Sequence, residues 1–261
     1  MTTGICLIAY IPLRSEPNHK SEMVSQLLFG ESFDVLETQA GWLHIEMHYD
    51  RYRGWVLGSQ AHIMEEPFRD IYRELPLLVT ADNLAIMTDT VTRSKFPVSA
   101  GSTFLPGKDH RMAVGGHRFL HHGSMADGNK QKSCEQICEY AHSFINTPYL
   151  WGGRSAFGID CSGFIQVIFK LAGVKLPRDS QEQAREGESI HLIHETKAGD
   201  LLFFDNKDGE INHVGLLLNQ EHIIHAHGKV RIDRVDHHGI FDAGQKAYTH
   251  KLRLIKRICG E

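Results

Sequence analysis

The sequence predicts an α+β protein in which small all-β barrels precede a domain of helices and antiparallel strands. Residues 1–64 alternate short β-branched and aromatic runs with Gly, Asn or Asp turns, which is typical of a small barrel. Residues 65–127 repeat this pattern more weakly, and we interpret them as a second, divergent barrel. Residues 128–261 place apolar-periodic helices first and strand-like runs after them, the order of an α+β domain.

The middle region, residues 65–127, has a second interpretation as an elaborated linker. Its first part, FRDIYREL, is compatible with a short helix or a connector, whereas the later runs LPLLVTADNLAIMT, FPVSAGSTFLPG and HRMAVGGHRFLHHG indicate strands with glycine turns. The polar stretch SMADGNKQKS then marks a boundary before the last domain.

Composition limits the classes of function. A hydrophobic content of 41% and a charged content of 23% are those of a globular protein, and a net charge of −4 gives no long-range attraction for nucleic acid or an anionic membrane. Five cysteines without regular spacing make a poor disulfide framework. The N-terminal apolar run is short and is interrupted at Pro12. We therefore expect a cytoplasmic protein, or a periplasmic or secreted one if a leader has been removed.

The stretch from Thr147 to Phe169 carries the strongest chemical signal. Cys161 follows a glycine-rich turn and opens a run whose apolar residues recur at three- and four-residue steps, so it is predicted to lie in the first turn of a helix. The unpaired N–H groups and dipole of a helix N-terminus favour a thiolate, the nucleophilic form of cysteine. The alternative is a small buried residue that only packs in the core.

Two histidines could serve such a cysteine. His213 opens the strand-like run HVGLLL, and His225 lies in the next one, HIIHAHG. A cysteine nucleophile needs a base that is itself held by a third polar group. Because His225 and His227 fall on one face of a strand, a zinc site that includes Cys161 is the alternative.

Several motifs in this half of the chain together resemble one known family. In order they are YLWGG (149–153), DCSGF (160–164), LPRDSQEQ (176–183) and AGDLLFF (198–204), followed by His213 and His225. This arrangement resembles the catalytic domain of the NlpC-type cell-wall peptidases, which are papain-like cysteine peptidases. Near the N-terminus, LRSEP, SQLLFGE, GW and DRYRGWV resemble a bacterial SH3-like domain.

The resemblance implies a catalytic role for four residues and requires neither a cofactor nor a metal. Cys161 would be the nucleophile, His213 the base and His225 its orienting partner, while Tyr149 would help to bind the oxyanion. A neutral orienting group stabilises an imidazolium less than a carboxylate would. More of the stabilisation of the thiolate–imidazolium pair would then have to come from the helix N-terminus at Cys161. The alternative for Tyr149 is a packed aromatic residue beside Trp151.

The resemblance also implies two binding positions for a short peptide. Asp179, Tyr52 and, less directly, Glu22 match the acceptors of a free N-terminal ammonium, which needs carboxylate and hydroxyl oxygens. For Glu22 and Asp179 the alternatives are a solvated charge and a helix cap. The positions that match the site for the α-carboxylate of D-glutamate are Ser162 and Ser180, together with Arg178. Asp160 is also counted among the substrate-binding residues.

The function that follows is that of a γ-D-glutamyl-L-diamino acid endopeptidase. Its partner would be a murein tri- or tetrapeptide with a free N-terminal L-alanine, and its process would be cell-wall peptide recycling. One alternative is a secreted or periplasmic hydrolase of intact peptidoglycan that uses its barrels to bind the wall. Another is a murein-peptide-binding protein without catalytic activity.

Overall fold

The first barrel is built from seven antiparallel strands. The computed structural model describes residues 2–64, 78–105 and 111–259. The strands are β1 (Thr3–Ile5), β2 (Tyr10–Arg14), β3 (Met23–Leu28), β4 (Ser32–Gln39), β5 (Trp42–Met47), β6 (Arg53–Leu57) and β7 (His62–Ile63). Their order in the sheet is β3-β2-β6-β5-β4-β1-β7. Ala40 and Gly41 connect β4 to β5 with positive φ angles of 48° and 84°, as a two-residue type I′ hairpin requires.

In the middle unit, residues 78–105 and 111–127 contain seven further strands in two sheets. They are β8 (Leu78–Thr80), β9 (Leu84–Asp89), β10 (Lys95–Ser99), β11 (Thr103–Phe104), β12 (Arg111–Val114), β13 (His117–His122) and β14 (Met125–Asp127). The sheets have the orders β10-β9-β13-β12 and β11-β8-β14. Their buried residues form one apolar core that Ile5 and Phe29 of the first barrel complete. This packing confirms a second all-β unit rather than an elaborated linker.

The described residues leave parts of the predicted domain organisation untested. Residues 68–75, for which the sequence allows a short helix or a connector, lie outside the described residues. The boundaries after residues 64 and 127 stay predictions.

The C-terminal domain has the predicted order of helices followed by strands. The helices are α1 (Cys134–Ser143), α2 (Cys161–Leu171) and α3 (Ser180–Gln183). The strands are β15 (Arg154–Ser155), β16 (Gly158–Ile159), β17 (Glu188–Ile190), β18 (Leu201–Asp205), β19 (Ile211–Asn219), β20 (His222–His227), β21 (Lys229–Asp236), β22 (Gly239–Asp242) and β23 (Ala247–Arg257). Short 3₁₀ turns lie at Gly58–Gln60 and Ile193–Glu195. Among the described helices, none is long and apolar enough to cross a bilayer.

A six-stranded antiparallel barrel carries the site. The sheet order is β17-β23-β18-β19-β20-β21-β22, and a further pairing of β22 with β23 closes the ring. Helix α2 packs against β19 and β20, and every one of its residues is buried. The sequence predicted β18 to β21 but not β22 or β23, the two strands that close the barrel. The helix therefore presents its N-terminus to two strands that both carry histidines.

The three units meet at a buried ionic cluster. Glu31 of the first barrel accepts hydrogen bonds from Arg154 Nη1 at 2.8 Å and from Lys170 Nζ at 2.7 Å. Lys170 also donates to Thr103 Oγ1 of the middle unit at 3.0 Å. Burial opposes the charge on Glu31, but Arg154 and Lys170 outweigh it and lower the pKa of Glu31 to about 2. This cluster fixes the first barrel against the helix that carries Cys161.

Candidate active site

Cys161 is the first residue of α2, as the sequence predicts. Asp160 caps the helix: its Oδ1 accepts the N–H of Gly163 at 2.7 Å, and its Oδ2 accepts the N–H of Gly152 at 2.9 Å. A side chain at position 163 would come within 2.3 Å of the Gly153 carbonyl oxygen, so only glycine fits there. The turn before the helix and the first helical turn are thus tied together, which sets the direction of the cysteine side chain.

The sulfur of Cys161 lies beside the strand of His213. Its Sγ is 4.0 Å from the carbonyl oxygen of Asn212, and the backbone N–H of Val214 is near enough to favour the thiolate. The residues on both sides of His213 therefore contact the sulfur. The thiol is 7% exposed. Burial raises the pKa of the Cys161 thiol to about 12, and nearby Asp160 adds to this rise.

Burial therefore opposes the thiolate that the sequence predicts at this position. The N–H groups of Val214 and Ser162 and the Arg178 cation favour the anion, but burial outweighs them. Burial also lowers the pKa of His213 well below its usual value, and the imidazoles of His225, His250 and His227 lower it further. Burial thus favours a neutral thiol and a neutral imidazole at this pair.

A carboxylate completes a chain of hydrogen bonds behind His213. His213 Nε2 lies 2.9 Å from His225 Nδ1, and His225 Nε2 lies 2.9 Å from Asp233 Oδ2. An ionised carboxylate only accepts, so His225 carries its proton on Nε2 and accepts on Nδ1. His213 then donates from Nε2, and its Nδ1 keeps a free lone pair. The chain thus fixes the tautomer that a general base needs.

Asp233 is a functional residue that the sequence analysis missed. The tight turn at Gly228 pairs His225 with Arg231, which makes Asp233 the diagonal neighbour of His225 on the adjacent strand. The orienting group is therefore a histidine backed by an anion, and not a neutral group alone. The sequence signal that could have found Asp233 is the turn at Gly228: pairing residues outward from this turn places Arg231 opposite His225 and Asp233 diagonal to it.

A cavity of about 480 Å³ lies beside Cys161, between the first barrel and the C-terminal domain. Besides Cys161, its lining includes eight predicted site residues, namely Glu22, Tyr52, Tyr149, Asp160, Ser162, Arg178, Asp179 and Ser180. We call this the Cys161 cavity. The structure thus brings the predicted substrate-binding residues and the predicted nucleophile to a single space.

At the far wall of the Cys161 cavity, the Tyr52 hydroxyl links the first barrel to the C-terminal domain. Tyr52 of the first barrel donates to Asp179 Oδ2 at 3.2 Å. Asp179 stands immediately before α3, but its side chain makes no capping hydrogen bond, so the cap alternative is wrong. Glu22 is exposed and accepts the indole N–H of Trp151 at 2.6 Å, so the solvated-charge alternative stays open for it.

Arg178 and Asp160 bind each other in the floor of the cavity. Arg178 Nη1 donates to Asp160 Oδ1 at 3.1 Å and to Ser162 Oγ at 2.8 Å, and its Nε donates to Ser25 Oγ at 3.1 Å. Both side chains are buried. Because these donors are already engaged, the pair holds Ser162 in place more directly than it offers free charge. Ser180 is also buried and lines the same cavity.

A second cavity of about 390 Å³ continues the cleft on the other side of Tyr149 and Trp151. Its lining includes Asn212, His213, His227 and His250, and we call it the His227 cavity. Tyr149, Trp151 and Asn212 line both cavities, so they mark the junction where a bond to be cut would lie. Trp151 is 61% exposed at this junction. Burial raises the pKa of Tyr149 to about 12, which keeps its hydroxyl a donor.

The zinc alternative loses its central ligand. Both ring nitrogens of His225 are engaged, one with His213 and the other with Asp233. Across residues 2–64, 78–105 and 111–259, no group of three His, Cys, Asp or Glu side chains could hold a metal ion.

Comparisons with known proteins agree with the geometry. The NlpC/P60 family model matches residues 146–250, and a bacterial dipeptidyl-peptidase Sh3 domain matches residues 13–60. A γ-D-glutamyl-L-lysine dipeptidyl-peptidase of Bacillus subtilis is 42% identical over 77% of this chain and 71% of its own length. Dipeptidyl-peptidase 6 of Lysinibacillus sphaericus is 28% identical over 82% of this chain and 83% of its own.

The arrangement of the whole chain is also similar to that of a solved structure. A crystal structure of an NlpC/P60 family protein from Bacillus cereus superposes with a TM-score of 0.85 and 19% identity, and covers 98% of this chain and 99% of that one. At this identity the match shows a shared fold.

Proposed function

Because the chain belongs to the NlpC/P60 family of cysteine peptidases, we propose that it is a γ-D-glutamyl-L-diamino acid endopeptidase for murein peptides with a free N-terminal L-alanine. The observation that carries this proposal is the contact of Tyr52 with Asp179 at the far wall of the Cys161 cavity. There, a carboxylate and a hydroxyl from two domains offer acceptors for an ammonium group. The names of the Bacillus and Lysinibacillus relatives support the same substrate class.

In the proposed reaction Cys161 and His213 exchange one proton. The Nδ1 lone pair of His213 takes the thiol proton as sulfur attacks the carbonyl carbon of γ-D-glutamate. The C–N bond then breaks, His213 gives its proton to the departing amine, and a thioester remains. Water attacks the thioester with His213 again as base, which releases the dipeptide acid and restores the thiol.

The negative charge on the attacked oxygen would be bound by N–H groups at the start of α2 and by the Tyr149 hydroxyl. A single donor of this kind lowers the activation free energy by on the order of 3 kcal/mol. Tyr149 lines both cavities and has a raised pKa, so its hydroxyl keeps its proton at neutral pH.

The dipeptide L-Ala-γ-D-Glu would occupy the Cys161 cavity. Its ammonium would contact Asp179 and Tyr52, with Glu22 near the opening beside Trp151. Ser162 and Ser180 would hold the α-carboxylate of D-glutamate. Arg178 and Asp160 would form the floor that holds Ser162 in position.

The barrels would then shape the pocket rather than anchor the enzyme to the wall. The first barrel supplies Tyr52 and Glu22 to the Cys161 cavity, and the Glu31 cluster fixes it there. A pocket bounded by two domains suits freed murein tri- or tetrapeptides better than the cross-linked polymer. We propose that the enzyme acts in the cytoplasm, in the recycling of murein peptides.

Incubation with L-Ala-γ-D-Glu-diamino acid tripeptide, followed by mass spectrometry, tests the proposal. We expect L-Ala-γ-D-Glu and the free diamino acid as products. Cys161→Ala should give none, whereas Cys134→Ala, which changes a partly buried cysteine at the start of α1, should remain active. Cleavage at another bond, or no cleavage by the folded enzyme, would contradict the proposal.

A further inference from the structure

His250, on the barrel-closing strand β23, stacks on the ring of His213. The two ring centroids lie 4.2 Å apart with an interplanar angle of 27°. His225 and Phe204 also contact the ring of His213, but His225 does so edge-on and Phe204 at a tilt of 45°. In the part of the chain that the structure describes, His250 is thus the ring that lies face-on against His213.

One hydroxyl holds the His250 ring in its orientation. Thr249 Oγ1 lies 2.8 Å from His250 Nδ1 and 3.4 Å from the carbonyl oxygen of Ile240 on β22. A hydroxyl has one hydrogen, so it donates to the Ile240 carbonyl and accepts from Nδ1–H of His250. Strand β23 is itself paired with both β18 and β22. The barrel therefore sets both the tautomer and the plane of this ring.

The titratable groups around His250 keep its ring neutral. On the strands packed against it they are His213 on β19, His225 and His227 on β20, and Asp233 on β21; Asp205 and Lys251 line a neighbouring cavity with it. Burial, with the imidazoles of His225 and His227, lowers the pKa of His250 to about 4. The repulsion by which His250 lowers the pKa of His213 needs a charge on both rings, so it acts only at low pH, where His250 is itself protonated. At neutral pH the His250 ring is uncharged, and an uncharged aromatic face attracts a cation placed over it.

We propose that His250 is a positioning residue for His213. Its ring holds the plane of His213 and stabilises the imidazolium that forms when Cys161 gives up its proton. The inference rests on the proposed role of His213 as the base, but it is independent of which peptide is cut. It gives β23, the strand that the sequence analysis did not find, a part in the reaction.

Comparison of His250→Phe with His250→Leu isolates the aromatic face. Both substitutions remove the second titrating imidazole and its bond to Thr249, and only leucine removes the ring. The readouts are kcat/KM for the tripeptide and the rate at which iodoacetamide alkylates Cys161, each measured against pH. We expect the leucine variant to be about tenfold slower than the phenylalanine variant at pH 7 in both readouts. The pKa that governs the acid side of both profiles should be about one unit lower in the leucine variant than in the phenylalanine variant.

Several outcomes would overturn the proposal. Phenylalanine and leucine variants with equal profiles, or a leucine variant that is slower at every pH without a shifted limb, would assign His250 a packing role only. His250→Ala replaces the leucine variant if the latter does not fold, and the proposal also fails if only the phenylalanine variant folds. His194→Ala, at an exposed histidine far along the chain from the cleft strands, is the control.

Alkylation separates this inference from the proposed function. It needs no peptide, so a shifted alkylation profile without cleavage of the tripeptide would leave the role of His250 intact and contradict the substrate assignment. Cleavage of the tripeptide with unshifted profiles would support the substrate assignment and contradict the role of His250.

Discussion

His225 donates from Nε2 to Asp233 Oδ2 across 2.9 Å, and this bond sets the protonation of the whole histidine chain. It leaves Nδ1 of His225 as an acceptor for His213. Asp233 is also paired with Arg231 at 2.7 Å. Burial opposes its charge, but His225 and Arg231 outweigh it and lower the pKa of Asp233, so the carboxylate stays ionised throughout the neutral range.

Asp233→Asn should impair the reaction without unfolding the protein. An amide can donate as well as accept, so His225 can take the wrong tautomer and His213 loses its fixed lone pair. We expect kcat/KM for the tripeptide to fall roughly ten- to hundredfold, with a smaller change in KM. Asp242→Asn is the matched control, because Asp242 also binds Arg231 but makes no hydrogen bond to His225. Equal activity of the two variants would argue against a fixed tautomer.

Tyr52→Phe tests the contribution of the first barrel to the Cys161 cavity. Burial and Asp179 raise the pKa of Tyr52, so its hydroxyl remains a donor to Asp179 at neutral pH. Removal of the hydroxyl should raise KM for the free-amine tripeptide about tenfold, the value of one hydrogen bond to a charged group. Thermal stability should change little. Tyr10→Phe, in the same barrel but outside the cavity, should leave KM unchanged; an equal effect of both substitutions would refute the assignment.

Glu31→Gln should destabilise the junction of the three units. Glu31 has a usual pKa of 4.5, lowered to about 2 in the folded protein. A lowered carboxyl pKa stabilises the fold above the unfolded pKa, and this contribution is lost as pH falls from about 4.5 to about 2. Substitution also leaves Arg154 and Lys170 buried with less compensation. We expect a loss on the order of 3 kcal/mol in the free energy of unfolding at pH 7.

Urea unfolding at pH 7 and at pH 2 measures this effect. The difference between wild type and Glu31→Gln should shrink at the lower pH, because most of the stability contributed by the ionised carboxylate is lost once the pH has fallen to the folded-state pKa of about 2. Glu46→Gln, whose partners Arg51 and Arg53 are largely exposed, should lose less at pH 7. A difference that persists unchanged at pH 2 would exclude the ionic origin.

The elements that carry Cys161, His213 and His225 could be predicted because their signals are local. A glycine-rich turn followed by three- and four-residue apolar steps predicted the start of α2, and β-branched runs predicted β19 and β20. The eight other predicted site residues that line the Cys161 cavity came from motif resemblance, since no local pattern brings Tyr52 of the first barrel next to Asp179.

What escaped prediction depends on contacts between distant parts of the chain. Asp233 follows from the register of β20 and β21, and His250 from the pairing of β23 with both β18 and β22. The burial that opposes a thiolate at Cys161 could not be predicted either, because a helix N-terminus can be recognised in sequence, whereas the burial of its first side chain is a property of the packed core.

The most direct measurement is kcat/KM for the tripeptide with a free N-terminus beside its N-acetylated form, in wild type and in Asp179→Asn. A pocket built to bind an ammonium should reject the acetylated peptide, so we expect a preference for the free amine of at least about a hundredfold in wild type. Asp179→Asn should lose most of that preference by slowing cleavage of the free peptide. A wild-type enzyme that cuts the acetylated peptide as well as or better than the free one would contradict the proposed function.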